Sequence, residues 1–199
     1  MPNVFLLSPA SLGGRRAMQL TSPRAQFGAA LRYRSEEGVM ISEAFAFMSA
    51  LYFRGKIAYS LHFGGAENTF VITPGFGLVS HDWRLTAERL KKMQKIDIDA
   101  ANRSYTKPLR ESAQALAARL DASAQVVLLG SIATGKYVDV LRPILGDRLR
   151  FPAVFAGLGD MSRGGLMLRA VRANSELEYT TLDAPRHRAP GGTGKMPVL

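Results

Sequence analysis

The sequence predicts an α/β protein, with a mainly parallel sheet and helices on both faces over residues 1–182, followed by a disordered tail over 183–199. Three observations carry this expectation. Short apolar runs at Asn3–Leu7, Thr69–Thr73 and Gln125–Leu129 are bounded by turn residues and suit buried strands. Stretches of helical spacing lie between them, and strands alternating with helices imply parallel connections. Apolar runs also lead into segments rich in glycine, hydroxyl or charged residues. The carboxyl ends of strands are where open α/β sheets bind ligands.

The elements follow in order. Asn3–Leu7 stops at Ser8-Pro9, Gly13-Gly14 makes a turn, and Arg15-Arg16-Ala17-Met18 opens a helix. Ser22-Pro23 reads as a second helix start, with proline near the first helical position. Ser42 caps a long helix expected to reach about His62. Phe45, Met48, Tyr52 and Lys56 share one of its faces, and Phe47, Leu51 and Ala58 another. A helix apolar on most sides is buried. Gly64-Gly65 ends it, and Thr69–Thr73 is the second strand, running into Pro74-Gly75-Phe76-Gly77. Thr86, with Glu88 and Arg89, opens a short helix. Lys107–Leu120 is amphipathic, with Leu109, Ala113, Leu116 and Leu120 in one stripe. Gln125–Leu129 is the clearest strand and precedes a helix from about Lys136 to Leu145. Leu149–Phe155 is weakly extended, Ser162 caps a helix to about Ala173, and Glu176–Thr181 closes as an edge strand.

The chain has 199 residues, 47% of them apolar, which is material for a real core. Its net charge of +10 is dispersed, with no block of like charges, and is the footprint of a protein that meets polyanions. It has no cysteine, so disulfides and thiolate metal sites are excluded and a reducing compartment fits. Ile41–Leu61 is mostly apolar but carries Glu43, Arg54 and Lys56, so it reads as a buried helix rather than a membrane span. No leader pattern opens the chain, and a cytoplasmic location is expected. His62, His81 and His187 lack metal-ligand spacing, and nothing calls for a metal or cofactor.

Four loops carry the candidate chemistry. Gly130-Ser131-Ile132-Ala133-Thr134-Gly135-Lys136 satisfies seven positions of a phosphate-binding loop between a strand and a helix. Its glycines would let backbone N–H groups surround a phosphate, and Ser131, Thr134 and Lys136 would add hydroxyls and charge. The eighth position, where a hydroxyl would hold Mg²⁺, is Tyr137, which argues against a nucleoside triphosphatase. In the first loop, Ser8, Ser11, Gly13, Gly14, Arg15 and Arg16 suit phosphate or carboxylate recognition. The loop at Thr73–Gly77 contributes Gly75 and Gly77 as close-approach positions. In the last, Asp160 is a candidate base or ribose ligand and Arg163 a candidate anion contact, against the plainer pairing of Asp160 with Arg163. His81-Asp82, next to the Pro74–Gly77 glycine loop, adds Asp82 as a second candidate base, against the plainer reading of a solvated loop pair.

Leu6-Leu7-Ser8-Pro9-Ala10 and Pro74-Gly75-Phe76-Gly77-Leu78-Val79 resemble two landmarks of the bacterial peroxide-stress YaaA family. They also resemble an uncharacterised bacterial α/β domain family, and Gly157-Leu158-Gly159 to Arg163-Gly164 is similar to a later landmark of that family. The resemblance spans about residues 3–182. It implies a cytosolic α/β protein connected to DNA through protection or repair. The lysine that commonly follows Ser-Pro-Ala in the first family is Ser11 here.

Two functions are therefore expected. One is binding of nucleic acid or a phosphate-bearing small molecule by the loops. The other is an enzyme acting on a nucleotide or nucleoside, with Asp160 or Asp82 as base. The tail, Asp183–Leu199, lacks apolar periodicity, and Gly192–Val198 resembles translated repeat sequence, so no role is expected of it.

Overall fold

The computed structural model describes residues 3–182, and the expected tail lies outside the described residues. Along the chain, β1 (Val4–Leu7) is followed by α1 (Arg15–Thr21), α2 (Gly28–Arg34), β2 (Val39–Met40), α3 (Ile41–Met48) and α4 (Ala50–Phe63). The middle holds β3 (Thr69–Thr73), β4 (Gly77–Ser80), β5 (Arg84–Leu85), α5 (Ala87–Gln94) and α6 (Arg103–Ala117). The last third holds β6 (Val126–Leu129), α7 (Val138–Leu145), β7 (Leu149–Pro152), α8 (Asp160–Arg172) and β8 (Tyr179–Thr180).

The α/β expectation holds. Six strands run in the order β4-β3-β1-β6-β7-β8. The inner four are parallel and the two edge strands antiparallel. Side chains alternate across a strand. Phe5, Leu7, Val127 and Leu129 therefore join the core under α1–α4 and α8, while Val4, Leu6, Val126 and Leu128 join the core under α6 and α7. Burial on both faces is why these strands read as unbroken apolar runs.

The connections create a crevice. From β1 the chain enters helices on the first face and returns as β3; from β6 it enters α7 on the second face. The loops after β1 and β6 therefore part in opposite directions, and such a switch point leaves a gap at the strand ends.

Local features depart from the sequence reading for identifiable reasons. The long helix expected from Ser42 is two helices, because Ala50 takes a left-handed φ of 46°. Such a conformation costs a non-glycine residue roughly 1–2 kcal/mol and stops a helix. Ser22 does not start a helix but ends α1, and Arg34 donates to the carbonyls of Ser22 (2.9 Å) and Ala25 (2.6 Å), holding the segment as a turn. α8 is capped by Gly159, three residues before the expected cap Ser162. α6 begins a turn earlier than expected, with Asn102 accepting from the Ser104 N–H at 3.0 Å. The segment after β3 is no crossover loop: it is the turn of the β3–β4 hairpin. Among the described residues, no helix is long and apolar enough to cross a membrane.

Candidate functional site

The crevice at the ends of β1 and β6 encloses about 150 Å³. Its floor is built of buried groups: Ser8 at the end of β1, Tyr52 on α4, and Tyr137 before α7. Its rim carries Ser11, Ser49, Ser131, Lys136 and Asp160. Larger hollows of about 360 Å³ and 560 Å³ lie along α6, but one is mainly apolar and the other a shallow charged groove, and neither gathers convergent chemistry.

Ser8 is the centre of the floor. Its backbone N–H donates to Leu129 O at 3.2 Å, which continues the β1–β6 ladder and fixes its position. Gly130 leaves room for it: a Cβ there would lie 2.9 Å from the Ser8 Cβ. The Ser8 Oγ is 2.6 Å from the Lys56 Nζ and 3.3 Å from Leu129 O. The Tyr137 hydroxyl also interacts with it.

Lys56 comes from α4 and is 1% exposed. Its Nζ donates to the Ser8 carbonyl at 3.0 Å and sits 3.8 Å from the centre of the Tyr52 ring. Burial lowers its pKa to about 7, with Asp160 pulling it up and Arg163 and Lys136 pushing it down. The Tyr52 hydroxyl is buried without a hydrogen-bond partner; it lies in the field of Arg163, and burial raises its pKa. Burial likewise pushes Tyr137 up. Both phenols therefore stay neutral donors.

α4 reaches this position because it packs against α8 without side chains between them. A Cβ on Gly55 would meet the Gly164 carbonyl at 2.6 Å, and one on Gly164 would meet Leu51 O at 2.7 Å. The same contact brings Asp160, at the start of α8, to the rim.

The structure gathers some of the sequence candidates and scatters others. Ser8, Ser11, Ser131, Lys136 and Asp160 line one crevice. Arg163 stands behind it, donating twice to Phe155 O (3.0 and 3.2 Å) and pairing with Asp160 at 3.7 Å. Gly13, Gly14 and Arg15 lie in the solvent-facing turn before and at the start of α1, and Arg16 is spent on the Phe47 carbonyl at 3.2 Å. Thr134 is exposed in the turn before α7, where its carbonyl accepts from the Lys136 N–H at 2.7 Å. Gly75 and Gly77 belong to the β3–β4 turn and do not line the crevice. Asp82 follows β4, which runs back to the amino-terminal edge of the sheet, so it lies at the opposite end. There the Ser80 hydroxyl holds its carboxyl below the usual range.

Sequence reasoning passed over Lys56, Tyr52 and Tyr137 as site residues. The available signal was a lysine on the otherwise apolar face shared by Phe45, Met48 and Tyr52. Among the described residues, no group of acidic or histidine side chains is arranged to hold a metal ion.

Comparison with protein-family models, with curated proteins and with solved structures finds no match.

Proposed function

We propose that the chain binds a phosphate-bearing ligand, either a nucleotide or a nucleic-acid end, at the β1–β6 crevice. The observation that supports this most is the meeting of Ser11, Ser131 and Lys136 on one small rim. Hydroxyl donors and an ammonium at the end of parallel strands suit a tetrahedral anion. A space of about 150 Å³ is below the usual range for a whole small ligand, so one terminal group enters and the remainder lies outside. The charge of +10 favours approach of polyanions. The resemblance of Leu6–Ala10 and Pro74–Val79 to the peroxide-stress family, which implies a connection to DNA, points the same way.

The test is binding of a mononucleotide, a 5′-phosphorylated single strand and a duplex across a salt series. Contact with a phosphate backbone weakens steeply with salt, by about one slope unit per contact, whereas capture of one terminal phosphate changes far less. Lys136→Ala is expected to weaken every ligand that binds. Absence of affinity for all three at low salt would refute the proposal.

A further inference from the structure

We propose that Ser8 and Lys56 are a nucleophile and its general base, and that the crevice carries out transfer or hydrolysis of small acyl esters. This rests on the crevice being a ligand site, as above, but not on the ligand carrying phosphate.

The geometry assigns each valence of an uncharged Lys56 amine. One N–H points to the Ser8 carbonyl at 3.0 Å. Another faces the Tyr52 ring, whose centre is 3.8 Å away. As an ammonium Lys56 donates to the Ser8 Oγ at 2.6 Å while the Ser8 hydroxyl donates to Leu129 O at 3.3 Å; in the uncharged amine the lone pair is left for the Ser8 hydroxyl, which turns from Leu129 O to meet it. Serine is a weak nucleophile until an adjacent base takes its proton, and a lysine kept in apolar surroundings serves as that base. No carboxylate hydrogen-bonds to Lys56 among the described residues: a buried ammonium is met by the two Ser8 oxygens, by the Tyr52 and Phe53 rings and by the field of Asp160, without a paired anion. The charged and titratable groups facing it are Asp160, Arg163, Lys136, Tyr52 and Tyr137. Asp160 is exposed at the rim, while burial outweighs it and brings the amine to about 7. At neutral pH a substantial share of molecules therefore holds a free base against the serine.

Attack on a carbonyl fits the remaining donors. The Ser8 Oγ forms a bond to the carbonyl carbon as its proton passes to the Lys56 Nζ. Negative charge develops on a single oxygen, which the Lys136 ammonium and the Ser131 and Tyr137 hydroxyls on the same crevice can meet. Collapse breaks the bond to the leaving alkoxide, which takes the proton from Lys56. Water then gives a proton to Lys56 and attacks the acyl-serine, and Ser8 departs with that proton. The sum is ester plus water to acid plus alcohol. The crevice volume is about five times the share of one liquid water, which limits the acyl part to a few heavy atoms.

The experiment incubates the full chain with p-nitrophenyl acetate and follows nitrophenolate release together with peptide mass mapping. The expected result is a burst matched by one acetyl group on Ser8, with a burst rate that rises with pH through a midpoint near 7. Ser8→Ala is expected to lose both burst and label. Lys56→Met is expected to slow the burst by about 100-fold or more and to abolish its pH midpoint. Should Lys56→Met fail to fold, the wild-type pH profile and Ser8→Cys, which keeps a nucleophile at the same place, decide the matter. An acetyl group on surface amines but not on Ser8 overturns the proposal, as does a Ser8 acetylation rate without a midpoint near 7. Inorganic phosphate separates the two readings. Slowed acetylation at high phosphate supports both, whereas Ser8 acetylation unaffected by phosphate, with no phosphate binding by calorimetry, overturns the phosphate reading and leaves the dyad standing.

Discussion

The turns after β3 and β6 leave the same edge of the sheet, yet the first is closed on itself and the second is open to a crevice. After β3 the chain doubles back as β4. Thr73 donates from its hydroxyl to Gly77 O at 2.8 Å, and the Ser112 hydroxyl accepts from the Leu78 N–H at 2.9 Å. Gly77 has a φ of 70° and lies directly against the backbone of Pro108. Its polar groups have partners within the fold. After β6 the chain instead crosses to α7, and Ser131 and Lys136 turn toward the space beside Ser8. A glycine after a strand thus has two uses, and the direction the chain takes next decides which.

The closed turn is most vulnerable at Gly77. Gly77→Val adds a Cβ against the Pro108 backbone at a left-handed position, and is expected to cost on the order of 4 kcal/mol or to prevent folding. Denaturant unfolding measures it. A loss below about 1 kcal/mol would mean that the turn is not closed as described.

The open side is sharpened by pH. The unfolded chain holds the Lys56 proton up to 10.5, while the folded chain releases it near 7. Between these values the unfolded state binds more protons, so stability climbs as pH rises and is lost as pH falls toward 7. The slope approaches about 1.4 kcal/mol per pH unit and should be absent in Lys56→Met. Equal slopes in the two proteins between about pH 7.5 and 9 would show that Lys56 is protonated in the fold.

A smaller effect is expected at Gly130, the open turn's counterpart of Gly77. Gly130→Ala sets a Cβ 2.9 Å from the Ser8 Cβ, which the backbone at the end of β1 holds in place, so the two strand ends must part slightly to admit it. It is expected to cost about 1–2 kcal/mol and to reduce Ser8 acetylation by more than that loss of stability explains. Least of all, Ser131→Ala and Lys136→Ala should change stability by no more than about 0.5 kcal/mol while weakening phosphate binding. A thermal shift larger than that would place these side chains in the fold's support rather than on its ligand surface.

Much of this architecture was legible in the sequence. Buried parallel strands show as apolar runs, so β1, β3 and β6 stood out, and with them the loops carrying Ser8, Ser131 and Asp160. β4 did not, because it begins at a glycine within what read as a loop. The partnership of Ser8 and Lys56 was hidden for a different reason. They are 48 positions apart, and they meet only because a left-handed Ala50 redirects α4 across β1. Helical spacing placed Lys56 on a face with Tyr52 but carried nothing about which strand end that face covers. Tyr137 was read as a missing metal ligand, whereas its buried ring completes the crevice floor.

The contact between Gly55 and Gly164 has a kinetic consequence. Backbones that touch directly have no intervening side chains to loosen one at a time, so α4 and α8 are expected to separate in a single step, their amides exchanging with solvent deuterium as one cooperative group. Each such opening would expose the Lys56 amine to water and return it to an ordinary ammonium until the seam re-forms. The opening equilibrium of the two helices would then set the fraction of time for which the Lys56 amine stays dry.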